Sequence, residues 1–311
     1  MEVVASRLRA GGLLEATIAA RDATDAEIER VHAPRYLELA KREIGALDRP
    51  RYLSTGDVLV DPGSLAVARR AAGGAIAAVE AAAGGEPVFA LVRPPGHHAE
   101  AARGMGFCLL NNAAIAARAH QALFGGRVLV VDFDYHHGNG TEAVAGNGLS
   151  YVSTHASPAY PGTGRRSYAI GADLVANVPL PASGISTEAF VAIWEALLPA
   201  VVRAAKPDCL VVSAGFDYVA GDPVGDLGVG VEAASALAAT IGRSAAEHCG
   251  GRVIYVLEGG YDIDALTRSI ALIAAESDEG YRFPSDAAGA AIPEPTRVTL
   301  NEIFREFPGT P

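Results

Sequence analysis

Val128-Leu129-Val130-Val131-Asp132-Phe133-Asp134-Tyr135-His136-His137-Gly138-Asn139-Gly140 is the stretch that decides the fold of this chain. Its unbroken apolar start suits a strand buried on both faces, and such strands belong to parallel sheets. The run then ends abruptly in polar residues. Alternate residues of an extended segment point the same way, so Asp132, Asp134 and His136 share one side at the strand's end.

Working outward, Val88–Val92, Leu149–Thr154, Cys209–Ser213 and Val253–Leu257 are short apolar runs of the same kind. Helical patterns separate them. The clearest spans Thr187–Ala205, with Phe190, Ile193, Trp194, Leu197, Leu198, Val201 and Val202 on one face. Further helices are expected near Ser64–Ala83, Asn111–Leu123, Val231–Cys249 and Ile263–Ala275. Strand alternating with helix implies an α/β fold, a mostly parallel sheet covered by helices on both faces. The stretch Ser277–Pro295 reads as a surface loop, with a short helix near Leu300–Glu306. No repeat, heptad or linker demands a second domain, so residues 1–311 read as one domain.

Composition narrows the function classes. Half of the 311 residues are hydrophobic and 20% are charged, as in soluble globular proteins. No apolar run reaches the ~18 residues that cross a bilayer. The segment Met1 to Leu13 carries Glu2, Arg7 and Arg9 without a continuous apolar stretch, so it is not read as a signal peptide, and the cytoplasm is the expected location. The net charge of −11 argues against general nucleic-acid binding. It mildly favours cationic substrates, although solubility alone accounts for it equally well. Cys108, Cys209 and Cys249 show no CxxC spacing and read as buried free thiols.

The unusual polar residues sit just after the expected strands, the edge where open α/β sheets bind ligands. Arg93-Pro94-Pro95-Gly96-His97-His98-Ala99 follows one strand, and the Asp132–Gly140 segment another. Ser213-Ala214-Gly215-Phe216-Asp217 and Gly221-Asp222-Pro223 follow a third. Glu258-Gly259-Gly260-Tyr261 follows the last. Asp134, His136 and Asp217 can supply two carboxylates and an imidazole to a metal, leaving coordination open as a catalytic zinc site requires. His97 and His98 are then placed to move protons, and Tyr261 to hydrogen-bond a developing oxyanion.

Each motif taken singly has a plain structural reading. A DxH at a strand end often makes a turn, His-His pairs occur on surfaces, and Gly-Gly-Tyr is common in loops. Their recurrence at successive strand ends is what points to a site. His32, His120 and His248 lack polar company and read as structural or solvated. His155 follows a strand and either lines the site or packs beside it.

In RPPGHHA, GFC-x-x-NN, DFDYHHGNGT, PGTG, SAGFD-x-x-x-GDP and LEGGY, the chain resembles the histone deacetylase superfamily, in order, from about Leu53 to about Ala275. That superfamily includes bacterial deacetylase-like amidohydrolases and acetylpolyamine amidohydrolases. Asn139, where class I members usually carry aspartate, makes the likeness closer to class II. The resemblance implies the arginase–deacetylase three-layer fold, with the active site at the C-terminal strand ends. It implies one catalytic zinc per chain on Asp134, His136 and Asp217, and hydrolysis of the amide of an acetylated amine substrate. His98 would be the principal base and acid, and His97, oriented by Asp132, its electrostatic partner. Tyr261 would stabilise the oxyanion and Asn139 would contact His98. Phe107 and Tyr160 would wall a substrate tunnel with Gly106 at its base, and His155 and Val224 are further tunnel candidates. A structural potassium ion would sit near Asp132, Asp134, His136, Ser153 and Thr154.

Two departures stand out. The family's first strand and His-Pro-Glu loop have no counterpart before the helix near Met1-Glu2-Val3-Val4, so an open tunnel edge, or one covered by a neighbouring subunit in a homo-oligomer, is expected. Tyr160 stands where phenylalanine is commoner, and its hydroxyl needs a partner. A ureohydrolase, which needs a second metal, and a non-catalytic binder of acylated ligands are the competing readings. The intact histidine pair and Tyr261 argue against both.

Overall fold

The computed structural model describes residues 1–14, 16–279 and 291–307. Strands β1 (Arg51–Tyr52) and β2 (Leu59–Val60) form a small antiparallel ribbon. The main sheet contains β3 (Val88–Ala90), β4 (Val128–Asp132), β5 (Leu149–Ala156), β6 (Tyr168–Ile170), β7 (Asp173–Leu180), β8 (Cys209–Ala214) and β9 (Val253–Leu257). Its order is β3-β9-β8-β4-β5-β7-β6, parallel except for β6, which runs antiparallel to β7. Among the described residues no strand precedes the first helix, Glu2–Ala10, and β3 forms one edge of the sheet.

The continuous apolar character of β4 has a direct cause. Leu129 and Val131 pack with Phe190, Trp194 and Leu197 of the helix Thr187–Ala205 and with Leu237 and Ile241 of the helix Ala233–His248. Val128 and Val130 face the other way, onto Ala75 and Val79 of the helix Ser64–Ala81 and onto Ala113 and Ala117 of the helix Asn112–Phe124. Helices thus cover both faces, and every β4 side chain is buried. Ser186 caps the Thr187–Ala205 helix by accepting from the Ala189 N–H.

Strands β6 and β7 were not expected. Asp173, Asn177 and Pro179 are types that strands disfavour. The buried Asn177 is tolerated because its amide donates to Glu142 Oε2 at 2.8 Å and to the Arg166 carbonyl at 2.9 Å. The loop expected over Ser277–Pro295 also needs correction. A helix continues through Ile263–Glu279 and another starts at Glu294, while residues 280–290 lie outside the described residues. Pro295 fits that second start, since a first-turn N–H has no helical partner to lose. The three cysteines are free and buried. No helix among the described residues is long and apolar enough to cross a membrane.

Candidate metal and catalytic site

The C-terminal ends of β4, β8 and β9 and the turn after β3 converge on one cavity of about 360 Å³. His97, His98, Gly106, Phe107, Asp134, His136, Tyr160, Val224 and Tyr261 line it, as does Asp57 from the loop between β1 and β2. Parallel pairing of β4 with β8 sets Asp132 beside Ser213, which aligns the polar segments that follow the two strands.

Ligand atoms of Asp134, His136 and Asp217 lie within 4.8 Å of one another. Asp217 Oδ2 is buried without a hydrogen-bond partner although it stands 2.9 Å from His136 Nδ1. The other oxygen, Oδ1, accepts from the Tyr135 N–H at 3.0 Å. Asp134 Oδ2 accepts from the Gly259 N–H at 2.7 Å. A Cβ on Gly259 would stand 2.5 Å from Asp217 Oδ2 and 2.6 Å from Asp134 Oδ2, so glycine is what leaves the carboxylates room to converge. Burial and the neighbouring Asp134 push the Asp217 carboxyl up. Two crowded carboxylates, an imidazole and an unpartnered buried oxygen are the donor set of a divalent cation, and they fit zinc.

The histidine pair is held differently on each ring. His97 Nδ1 donates to Asp132 Oδ2 at 3.1 Å, and its Nε2 stands 3.8 Å from Asp134 Oδ1. Burial opposes a charge on His97, but Asp134, Asp132 and Glu258 outweigh it and hold its pKa up at about 10. Burial and the charge on His97 together push His98 well below its ordinary value. The neighbouring carboxylates thus favour charge on one ring while burial favours a neutral state on the next, with centroids 4.0 Å apart. Tyr261 is held from two directions. Arg93 lies over its ring at 5.2 Å and donates to the Gly260 carbonyl at 2.7 Å. Burial, then Asp134 and Asp217, raise the Tyr261 phenol, so it stays a proton donor at neutral pH.

At the mouth, Tyr160 finds the partner its hydroxyl needs: it donates to Asp57 Oδ2 at 3.0 Å, while Asp57 Oδ1 accepts from the Gly106 N–H at 3.0 Å. Gly106 takes φ +55°, and a Cβ there would meet His98 Cδ2 at 2.3 Å. Phe107 shares the left-handed region at φ 67°, unusual for a bulky residue. It is 59% exposed and forms part of the wall.

His155 requires a correction, because it does not line the cavity. Strand β5 runs on to Ala156, so His155 lies inside it, paired with Pro179 of β7 and fully buried. Its Nε2 donates to the Gly164 carbonyl at 2.9 Å, and Ser153 Oγ lies 2.9 Å from its Nδ1. Of the residues named for a monovalent cation, Asp132 on β4 lies in register beside Ser153 on β5, Thr154 follows on β5, and Asp134 and His136 lie just past the end of β4; Thr154 Oγ1 is buried without a partner. Sequence reasoning gave no role to Tyr151, which donates to Asp132 Oδ2 at 2.9 Å. It also passed over Glu258, whose Oε2 accepts from the Gly96 and His97 N–H groups. The partners of both residues are distant in the chain, so their roles cannot be read from the local pattern, even though Glu258 opens the Glu258–Tyr261 segment.

Fold and site together define a three-layer α/β protein with a candidate metal centre at its strand ends. The histone deacetylase domain profile matches residues 1–276, and the chain belongs to the histone deacetylase family. A histone deacetylase-like amidohydrolase from Pseudomonas aeruginosa is 35% identical over 300 residues, covering 92% of this chain and 76% of that protein. Chloroplastic histone deacetylase 14 from Arabidopsis thaliana is 38% identical over 225 residues, covering 70% of this chain and 53% of that protein. The chain spans about half the length of three such plant relatives. In structure it is similar to the HDA15 HD domain, with a TM-score of 0.84 at 29% identity, covering 98% of this chain and 85% of that one.

Proposed function

We propose that the chain is a zinc-dependent deacetylase that hydrolyses the linear amide of an N-acetylated amine, with residues 1–311 as one catalytic unit. The observation that carries this reading is the convergence of Asp134, His136, His97, His98 and Tyr261 on one cavity, with the Asp217 carboxylate within ligand reach of Asp134 and His136. The three ligands would hold one zinc per chain, which when bound polarises an acyl carbonyl and acidifies water. His98 takes the proton of the attacking water at Nε2 and returns it to the leaving amine. His97, fixed by Asp132, lends positive charge beside it. Tyr261 donates a hydrogen bond to the oxyanion as the carbonyl carbon becomes tetrahedral. Gly106, Phe107 and Tyr160 confine the substrate stem. Potassium near Asp132, Asp134, His136, Ser153 and Thr154 would stiffen the β4 and β5 ends, and the cytoplasm suits the reaction.

One His/Asp cluster of ligand geometry occurs among the described residues, which favours this reading over a two-metal ureohydrolase. Acetyl-lysine-type substrates are the preferred class, with acetylpolyamines second. Val224 at the rim is 43% exposed and apolar, and offers a distal ammonium nothing for its lost hydration. Profiling the zinc-loaded protein on acetyl-lysine peptides, acetylspermidine and acetylputrescine tests this, together with Val224→Glu, which is expected to shift kcat/KM toward the polyamines. A preference of about tenfold or more for acetylspermidine in the unmodified protein, roughly 1.4 kcal/mol, would reverse the substrate order. No turnover of any of the three would favour an acyl-ligand binder.

A further inference from the structure

We propose that Asp222 is a positioning residue that locks Tyr261 to the rim loop carrying Val224, an inference that rests on the deacetylase reading above. Asp222 is buried, and its carboxylate spans two segments far apart in the chain. Oδ1 accepts from the Val224 N–H at 2.9 Å and the Gly225 N–H at 3.2 Å. Oδ2 accepts from the Tyr261 N–H at 2.7 Å and the Asp262 N–H at 3.0 Å. Hydrogen bonds to an ionised acceptor are shorter and stronger than neutral ones, so this clasp is stiff.

Tyr261 needs such a clasp. It follows Gly259 and Gly260, and Gly260 sits at φ +115°, so no side chain in the turn restrains the tyrosine from within. Arg93 holds the Gly260 carbonyl and the ring face, and Asp222 holds the N–H side. Val224 and Tyr261 line the same cavity, and one carboxylate joins their backbones. A side chain seated against Val224 therefore presses on the group that aims the Tyr261 hydroxyl. Asparagine at 222 keeps the volume but supplies one acceptor oxygen, and its NH₂ faces an N–H pair, so one half of the clasp is lost.

The test is a double-mutant cycle on the zinc-loaded protein, with kcat and KM measured on an acetyl-lysine peptide. The variants are Asp222→Asn, Tyr261→Phe and the pair, with amide hydrogen exchange read at residues 224, 225, 261 and 262. Asp222→Asn is expected to lower kcat by up to about 100-fold with KM nearly unchanged, the size of effect that a small misplacement produces. In the Tyr261→Phe background it should change kcat less than about threefold, because the hydroxyl it aims is gone. Protection at residues 261 and 262, or at 224 and 225, should fall. An equal fold-loss in both backgrounds, or an unchanged kcat with the amides exposed, overturns the proposal. If Asp222→Asn does not fold, Asp222→Glu keeps the charge and displaces it by one methylene. It should show the same kcat-selective loss, and full kcat in it also overturns the proposal. A Tyr261→Phe enzyme with full kcat would instead defeat the assignment of Tyr261 on which the inference stands.

Discussion

His98 Nδ1 and Asn139 Oδ1 stand 2.9 Å apart, and the network around them fixes which atom carries the proton. Asn139 Nδ2 donates to Glu100 Oε1 at 2.8 Å, so the amide oxygen must be the group facing His98. An amide oxygen only accepts, so His98 bears its proton on Nδ1 and keeps the Nε2 lone pair for the cavity. Asn139→Asp would replace this neutral acceptor with a carboxylate, stabilise the charged ring and raise the His98 pKa. A base must be deprotonated to work, so the acid limb of kcat/KM should move to higher pH. A pH profile from 5 to 9 checks this, and an unmoved limb would remove His98 from the base role.

Tyr261→Phe should lower kcat by about 100- to 1,000-fold while leaving KM within a few-fold, because its hydroxyl acts on charge that exists only in the transition state. Steady-state kinetics at constant zinc occupancy decides it. Equal losses in kcat and in substrate binding would show a merely structural tyrosine.

Metal content is the third measurement. One equivalent of zinc per chain is expected, removable by a chelator with loss of activity and restored by zinc. Asp217→Asn should weaken zinc uptake, since it exchanges a charged ligand for a neutral amide in a site that already crowds two carboxylates. Elemental analysis giving two tightly held transition metals would turn the reading toward a ureohydrolase.

The fourth expectation concerns stability rather than turnover. His32 is buried, its Nδ1 donating to the Glu100 carbonyl at 3.0 Å and its Nε2 accepting from the Asn111 N–H at 2.9 Å. Burial lowers its pKa to about 4. The unfolded chain therefore binds this proton first as pH falls. The stabilisation is complete above pH ~6.5 and declines toward pH 4 with a slope of about 1.4 kcal/mol per unit. His32→Gln should flatten that slope in urea unfolding between pH 4.5 and 7, and parallel slopes for the two proteins would refute it.

Much of this architecture was legible because burial on both faces leaves a plain mark. Val128 to Val131 could not be so uniformly apolar on a one-sided sheet, and once β4 was located, Asp134 and His136 had to lie at its end. The helix Thr187–Ala205 was read at its observed bounds because its stripe meets the sheet along its length. Strand β7 was not legible, since Asp173 and Asn177 are accommodated by partners elsewhere in the chain. His155 proves to be buried within the sheet rather than a tunnel residue, because β5 runs two residues further than its apolar core suggests. Asp222 Oδ2, Arg93 and Glu258 act through backbone groups distant in sequence, and no periodicity records such bonds.

Phe107 carries a consequence beyond the site itself. Its left-handed backbone is held where the wall of the cavity must stand, exposed to whatever enters. Glycine there would ease the chain and strip the wall; any branched residue would do the reverse. Durability and selectivity therefore pull this position in opposite directions, and a lineage adapting to heat or to a new substrate would register that conflict here early.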